Sequence, residues 1–153
     1  MGEFKYAKRF DAPPDRVFAA MTDIERWPDM ISGITATEKL TEGPVGIGTR
    51  LRETRVMMGK DRTEEMEITA FEAGKGFTMG CRSCGCDISF VHRLTPDGGG
   101  THFELESITR PISLFAKLTA PIMGVMMKGT MTKCMDKDYA DLERYINAGA
   151  HAE

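Results

Sequence analysis

The sequence lacks the features that mark several common classes of protein. Its 20 basic residues are outnumbered by 23 acidic ones, for a net charge of −3, so it has no basic excess of the kind that nucleic-acid-binding domains carry. The longest uncharged run in its Met-rich part, Leu118 to Met127, is far shorter than the roughly 20 residues that span a bilayer. The first six residues contain no apolar signal core and no lipidation signal. We therefore expect a soluble, cytoplasmic protein that binds no nucleic acid and does not insert stably into membranes.

Residue types that carry catalysis or metal binding are also scarce. Only three histidines occur, at positions 92, 102 and 151, and no two of them stand at metal-ligand spacing. No relay of serine, histidine and aspartate can be assembled from the sequence pattern. We expect neither a metal nor a cofactor.

Three of the four cysteines, Cys81, Cys84 and Cys86, fall within six residues. Thiolates at this spacing can hold zinc, although the fourth ligand would be Cys134 on a distant element. A hairpin that places Cys81 opposite Cys86 would instead allow a disulfide or redox pair. The favoured interpretation is that the cysteines are reduced and behave as small apolar residues, with the redox and metal roles as open alternatives.

Acidic residues are absent from Pro111 to Met135, a segment rich in methionine. From Met127 onward the apolar positions fall near helical spacing, with Asp136, Asp138, Asp141 and Glu143 off that line, which predicts an amphipathic helix. Pro121 predicts either a kink or a separate short helix before the main one, so that the long helix starts securely only at Pro121. We expect this helix to cover a sheet; its lysines also allow the alternative of a membrane-surface helix.

Strand patterns fill most of the chain before this helix. Residues 3–11 alternate as a half-buried strand, and two short helices follow Pro13 and Pro14, the second stopped at Pro28. Six further strands are predicted over residues 34–40, 49–57, 62–71, 77–81, 86–94 and 101–109. The short links between them imply a meander, and hence an α+β fold with its helices on one face of an antiparallel sheet.

Hairpin pairing across these links predicts which side chains face the helix. It places Ile88, Phe90, His92 and Leu94 on the same face as Phe103 and Leu105, Met79 and Cys81 opposite Ile88 and Cys86, and Met66 and Ile68 opposite Met79 and Cys81. For the strand over residues 49–57, Leu51 and Met57 favour inward odd positions, which carries Glu53 and Arg55 inward as well.

Several local sequences resemble the SRPBCC superfamily, and within it the polyketide cyclase/dehydrase and lipid-transport group. They are residues 10–18 (FDAPPDRVF), 23–28 (DIERWP), 45–50 (VGIGTR), 94–101 (LTPDGGGT) and 141–145 (DLERY). The resemblance implies a single START-like domain over residues 1–153 with the helix-grip fold, a seven-stranded curved sheet wrapped around a long C-terminal helix. It also implies a deep cavity for an apolar or amphipathic small molecule.

The sequence offers candidate residues that could line such a cavity or carry out chemistry in it. Methionines suit a pocket that adapts to apolar ligands. His92 could orient a ligand or move a proton, although a satisfied structural histidine is the favoured interpretation. Glu53 beside Glu64 could share a proton, and Arg55 could bind a ligand carboxylate. The favoured interpretation of these three charged residues is a solvated outer face or an ion pair at the rim. The predicted ligand-binding residues are Arg55, Met57, Met66, Ile68, Met79, Cys81, Ile88, Phe90, His92, Phe103, Leu105, Met123, Met127 and Met131.

We therefore expect a binding protein or carrier for a hydrophobic, lipid-like or polyketide-like molecule, as a monomer or homodimer. The first alternative is a cyclase/dehydratase-type enzyme that uses His92, Glu53 or Glu64, and the second is a co-chaperone-like interaction module.

Overall fold

A computed structural model of the chain describes residues 2–57, 59–83 and 85–149, without the side chain of Met127. Seven strands form one antiparallel sheet in the order β1-β7-β6-β5-β4-β3-β2. The strands are β1 (Gly2–Phe10), β2 (Ile34–Lys39), β3 (Arg50–Met57), β4 (Lys60–Glu72), β5 (Gly76–Ser83), β6 (Cys86–Asp97) and β7 (Gly100–Pro111). The helices are α1 (Pro14–Thr22), a 3₁₀ turn (Ile24–Arg26), α2 (Trp27–Met30) and α3 (Leu114–Gly149). The predicted helix-grip arrangement, with its meander of six strands, is confirmed.

The connection between β1 and β2 differs from the prediction at Pro28. This proline does not stop the second helix but lies in the first turn of α2, where a missing backbone N–H costs nothing because that N–H has no partner in the helix. The preceding Trp27 is buried, and its indole N–H donates to the carbonyl of Met21 at 3.1 Å. Both short helices therefore pack their apolar faces against the sheet.

Strand register confirms the predicted facing of most side chains. His92 lies opposite Leu105, and β3 turns its odd residues inward, so that Leu51 and Glu53 are both buried. The remaining confirmed pairs are Leu94 with Phe103, Ile68 with Met79, Met66 with Cys81, and Glu53 with Glu64.

The hairpin between β5 and β6 corrects the predicted cysteine pairing. Cys81 lies opposite Ile88, and Cys86 lies opposite Ser83, because the turn is tighter than the predicted break and passes through Gly85 at a φ of +74°. Two residues of register separate the observed pairing from the predicted one, so Cys81 and Cys86 do not face each other as a disulfide would require. Cys84 lies outside the described residues.

The long helix α3 begins earlier than predicted and runs through Pro121 without interruption. Its first turn is held by Ser113, whose backbone N–H donates to the carbonyl of Gly85 at 3.2 Å and whose Oγ accepts the N–H of Ala116 at 3.0 Å. This capping hydrogen bond lets a helix start before the proline, even though Pro121 removes one internal hydrogen bond and crowds the carbonyl of Lys117.

The core lies at one end of the sheet, which we call the core end. There α1 and the C-terminal part of α3 cover the strands beside the β4–β5 and β6–β7 turns, while α2 packs on the edge strand β2. The largest fully buried side chains of the described residues are here: Phe10, Phe103, Ile24, Leu51, Ile68, Leu142, Val17 and Thr101. The other end, which carries the β3–β4 and β5–β6 turns and the start of α3, we call the open end.

Candidate functional site

The inward face of the sheet is incompletely covered at the open end. Six inward-pointing residues there are only partly buried, and we call them the open concavity: Met57, Glu64, Met66, Cys81, Ile88 and Phe90. Five of the six are apolar or soft, and although Met66 and Phe90 also pack against the buried core, this end of the inward face presents a partly exposed apolar surface.

The position of α3 explains why this surface is exposed. The helix packs chiefly against β1, β7, α1 and α2, which lie toward one side of the sheet and at the core end. Within the described residues, close packing of α3 on the inward faces of β4, β5 and β6 is therefore sparse at the open end.

The predicted ligand-binding residues divide between the two ends of the sheet. Ile68, Met79, His92, Phe103 and Leu105 are buried in the core, each with at most 8% of its surface exposed. A side chain packed in this way has no free surface to offer a ligand without rearrangement. Of the methionines predicted on α3, Met131 is partly buried and Met123 is 49% exposed, and the side chain of Met127 lies outside the description.

A group of buried charges, which we call the charge cluster, joins β3 to α3. The Arg55 guanidinium donates through Nη1 to Oδ2 of Asp138 at 2.6 Å and through Nε to Oε1 of Glu53 at 3.2 Å. The side chains of Glu53 and Asp138 are each 9% exposed, and that of Arg55 is 21% exposed. These ion pairs are mostly screened from water. Loss of any one partner would therefore leave a buried charge without its counter-ion.

Burial and ion pairing act in opposite directions on the ionisation of the cluster. Burial raises the pKa of Glu53 and of Asp138, and the adjacent Arg55 only partly offsets this. For Arg55 burial alone would lower the pKa, but the two carboxylates outweigh it and raise the pKa. The cluster thus contains carboxyl groups that take up a proton more readily than exposed ones do.

Glu64 connects the charge cluster to the open concavity. It lies directly opposite Glu53 across the β3–β4 pair, which confirms the predicted proximity, and its charge adds to the rise in the pKa of Glu53. Its own carboxylate accepts the Ser83 hydroxyl at 2.8 Å and lies 3.8 Å from the Cys81 Sγ. Arg55 is therefore already engaged by the carboxylates of Glu53 and Asp138 rather than open to a ligand carboxylate.

His92 has the environment of a structural core residue. Its ring stacks on Phe77 with 4.2 Å between centroids, and its Nδ1 lies 3.1 Å from the carbonyl oxygen of Phe90. Burial lowers the pKa of His92 to about 4, although hydrogen bonds to the backbone of Phe77 and Phe90 act against this shift. The ring is therefore neutral near pH 7 and faces packed side chains, as the favoured interpretation of the sequence has it.

Two buried acids on α3 were missed by the sequence prediction, which placed them off the apolar line. Asp138 completes the charge cluster, and Asp141 accepts the backbone N–H and the hydroxyl of Ser32 at 3.0 and 2.8 Å. Burial opposes ionisation of Asp141, but these hydrogen bonds and nearby Lys137 prevail and lower its pKa. A signal was present for Asp138, which stands three residues after Met135 and four before Leu142 and so shares their helical face.

Two surface depressions lie elsewhere on the molecule. One of about 400 Å³ is formed between α2 and the C-terminal part of α3, and one of about 190 Å³ lies on the outer face of β1, β6 and β7. Neither is lined by a residue of the open concavity. Of the predicted ligand-binding residues, only Leu105 borders one of them, the smaller.

Comparison with known proteins places this fold in a family. A sequence profile for the family described as polyketide cyclase / dehydrase and lipid transport matches residues 1–147. The chain belongs to this family. The description joins enzymes and transport proteins, so membership of the polyketide cyclase / dehydrase and lipid transport family does not by itself select an activity.

Solved structures share the fold of this family member at low sequence identity. The Zhui aromatase/cyclase from a Streptomyces species is 16% identical with a TM-score of 0.78, and the alignment covers 98% of this chain and 96% of that one. A START superfamily protein from Mycobacterium smegmatis is 13% identical with a TM-score of 0.77, over 97% and 99% of the two chains. The protein TTHA0849 from Thermus thermophilus is 21% identical with a TM-score of 0.69, over 96% and 98%. No curated protein is significantly similar in sequence.

Proposed function

We propose that the chain binds a hydrophobic or amphipathic small molecule, of lipid or polyketide type, in the open concavity. The observation that carries this proposal is the partly exposed apolar surface on the inward face of the sheet at the open end. Met57, Met66, Ile88 and Phe90 provide most of it. Flexible, polarizable methionines beside an aromatic ring suit a site that adapts to apolar ligands of varied shape.

The charge cluster sets the chemistry of the ligand's polar end. Glu53 and Asp138 give the cluster more carboxyl groups than cations, and Glu64 lies opposite Glu53 in the open concavity. A ligand carboxylate placed here would meet like charge, whereas a hydroxyl or carbonyl group can hydrogen-bond to a carboxyl group in either protonation state. We therefore expect a ligand with a neutral polar end.

Family membership supports this class of ligand, since the family's description names lipid transport together with polyketide chemistry. One structural relative of the same fold is an aromatase/cyclase. Binding without turnover is the favoured form of the proposal because His92, the candidate proton carrier of the sequence, is packed in the core.

A cyclase or dehydratase activity is the second candidate, and one observation favours it. Glu53 has a raised pKa and lies opposite Glu64, so this pair can hold a proton next to the concavity and exchange it with a bound carbonyl compound. In that case Glu64→Gln would abolish turnover of a bound poly-β-ketone while leaving the binding of a neutral apolar probe unchanged.

Binding is tested with the neutral fluorescent probe N-phenyl-1-naphthylamine and two matched isoleucines. Ile88 faces inward on β6 and Ile108 faces outward on neighbouring β7, and both are partly buried. Ile88→Gln should weaken probe binding by about tenfold, because it replaces apolar contact area with an amide. Ile108→Gln should leave it unchanged.

Two further measurements complete the test. Native mass spectrometry of the purified protein should recover a co-purified apolar ligand, and a long-chain alcohol should displace the probe better than the carboxylate of equal chain length. Absence of probe binding, or an equal effect of the two isoleucine substitutions, would refute the proposed site. Preference for the carboxylate would refute the role given to the charge cluster.

A further inference from the structure

The N-terminal half of α3 has an apolar surface that points away from the sheet. Its residues recur at spacings of three and four, so they form a continuous line on one side of the helix. We call this line the outer stripe: Leu114, Phe115, Leu118, Ile122, Val125 and Met126, each between 64% and 80% exposed.

Covering the sheet does not account for the outer stripe. Ala116, which is 5% exposed, marks the side of the helix that faces the protein, and the stripe lies on the other side. Only the inner side of this half of α3 therefore faces the sheet. A helix that is apolar on both sides is normally buried on both sides, so the outer stripe calls for a partner outside the described fold.

The charges around the stripe indicate which partner fits. Lys117 and Lys128 lie beside it on the exposed surface of the helix, and Lys133 follows little more than one turn later. No acidic residue occurs from Pro111 to Met135, although the whole chain carries a net charge of −3. Apolar side chains flanked by lysines on an acid-free helix are the pattern of helices that lie in the interface of an anionic membrane.

We propose that the outer stripe docks the protein on an anionic lipid bilayer, with α3 lying in the plane of the interface. The apolar side chains would enter the boundary between head groups and acyl chains, and the flanking lysines would contact lipid phosphates. Docking of this kind is peripheral, since no helix in the described ranges is long and apolar enough to cross a membrane.

A second copy of the chain fits the stripe less well. A two-fold interface brings the same surface of both copies together. If two α3 helices packed antiparallel along this stripe, Lys117 of one copy would approach Lys128 of the other. An anionic bilayer instead supplies opposite charge to every lysine.

The stripe also lies next to the open concavity. The backbone N–H groups of Ile112 and Ser113 donate to the carbonyl of Gly85, in the β5–β6 turn, so α3 starts at the open end of the sheet. A docked stripe would hold this end close to the lipid surface. The inference needs no bound ligand, and its test is therefore independent of the proposed function.

Co-sedimentation tests the apolar contribution, with vesicles of equal parts phosphatidylcholine and phosphatidylserine. The double variant Leu118→Gln/Ile122→Gln should bind these vesicles at least about tenfold more weakly than the parent, because two inserted side chains become polar. Ile47→Gln is the matched control, as Ile47 is 71% exposed but lies outside α3, and should bind like the parent. Equal thermal unfolding of all three proteins would show that the fold is kept.

Charge is tested in the same assay with Lys117→Glu/Lys128→Glu, which should weaken binding by about tenfold or more. Lys75→Glu, at the core end, should not. The parent should prefer the mixed vesicles to phosphatidylcholine alone and lose this preference as salt is added.

Three outcomes would overturn the proposal. One is absence of vesicle binding by the parent, and another is equal binding to both kinds of vesicle. The third is a dimer in light scattering that Leu118→Gln/Ile122→Gln dissociates, which would make the stripe an interface between copies.

Discussion

Removal of the Arg55 guanidinium should be among the most damaging single substitutions in this protein. In Arg55→Met the carboxylates of Glu53 and Asp138, each only 9% exposed, would lose their shared counter-ion. Breaking a buried ion pair by deleting one partner typically costs about 3–5 kcal/mol. With a urea dependence of about 1–3 kcal/mol per molar, the unfolding midpoint should fall by roughly 2 M.

The matched control lies on the outer face of the same strand. Arg52 also pairs with two carboxylates, Glu38 at 2.8 Å and Glu65 at 3.8 Å, but its side chain is 44% exposed. Surface pairs of this kind contribute at most about 1 kcal/mol, so Arg52→Met should move the midpoint little. Equal midpoints for Arg52→Met and Arg55→Met would refute the reasoning, because the two differ mainly in burial.

The loss of folding stability caused by Arg55→Met should depend on pH in a definite direction. Without the guanidinium, the pKa values of Glu53 and Asp138 in the folded state should rise further above those in the unfolded chain. A carboxyl group with a raised pKa in the folded state stabilises the protein at acid pH and loses that contribution as the pH rises through its folded pKa. The deficit should therefore shrink from about pH 8 to about pH 5, and the triple variant Glu53→Gln/Arg55→Met/Asp138→Asn should recover part of it at pH values near neutrality.

Two further predictions concern His92 and Gly85. The pKa of His92 falls to about 4 on folding, so the neutral ring contributes its full stabilisation above the unfolded pKa of about 6.5. This contribution is lost as the pH falls, by about 3 kcal/mol in total. His92→Gln should lack this loss in urea titrations across that pH range, and a pH profile of stability parallel to that of the parent would contradict the prediction. In Gly85→Ala the new Cβ would lie 2.5 Å from the Oγ of Ser113 at a φ of +74°, so backbone strain and a damaged helix cap together should cost about 2 kcal/mol. Gly74→Ala has a similar φ of +76° with open space and should cost about half as much in thermal unfolding; equal costs would show that the contact with Ser113 is unimportant.

The inward or outward facing of strand residues could be predicted because the apolar residues of a strand mark which of its two faces is buried. On β3 the apolar Leu51 and Met57 fix the odd positions as inward, and the period of two then carries Glu53 and Arg55 inward. Short hairpins extend this facing from strand to strand. The pairing of Glu53 with Glu64 followed from these local rules alone.

Turn geometry and capping were harder to predict, since one residue decides them. A tight turn at Gly85 shifts the β5–β6 register by two residues, which keeps the facing of Cys81 but changes its partner. Ser113 starts α3 ahead of Pro121, although the proline is the stronger signal in the sequence. The turn depends on the backbone conformation of Gly85, and the helix start on the Ser113 cap and its bond to the Gly85 carbonyl, none of which the spacing of apolar residues reports.

Asp138 shows a different limit of sequence reasoning. An acid on the inward line of a helix is expected to be a surface residue unless a cation is known to meet it. That cation, Arg55, lies 83 positions away and faces inward itself. Arg55 and Asp138 are each buried because they pair with each other, so neither position could be derived from the sequence around it alone.

Placing the core and the open concavity at opposite ends of one sheet also has an evolutionary consequence. Substitutions at Met57 or Ile88 alter surface that is partly exposed, and so should leave the packing around Phe10, Phe103 and Leu142 intact. With a ligand bound in the open concavity as proposed, a lineage with this architecture can exchange one ligand for another through changes that cost little folding stability. The same fold can then persist among relatives whose sequences have diverged as far as those compared with this chain.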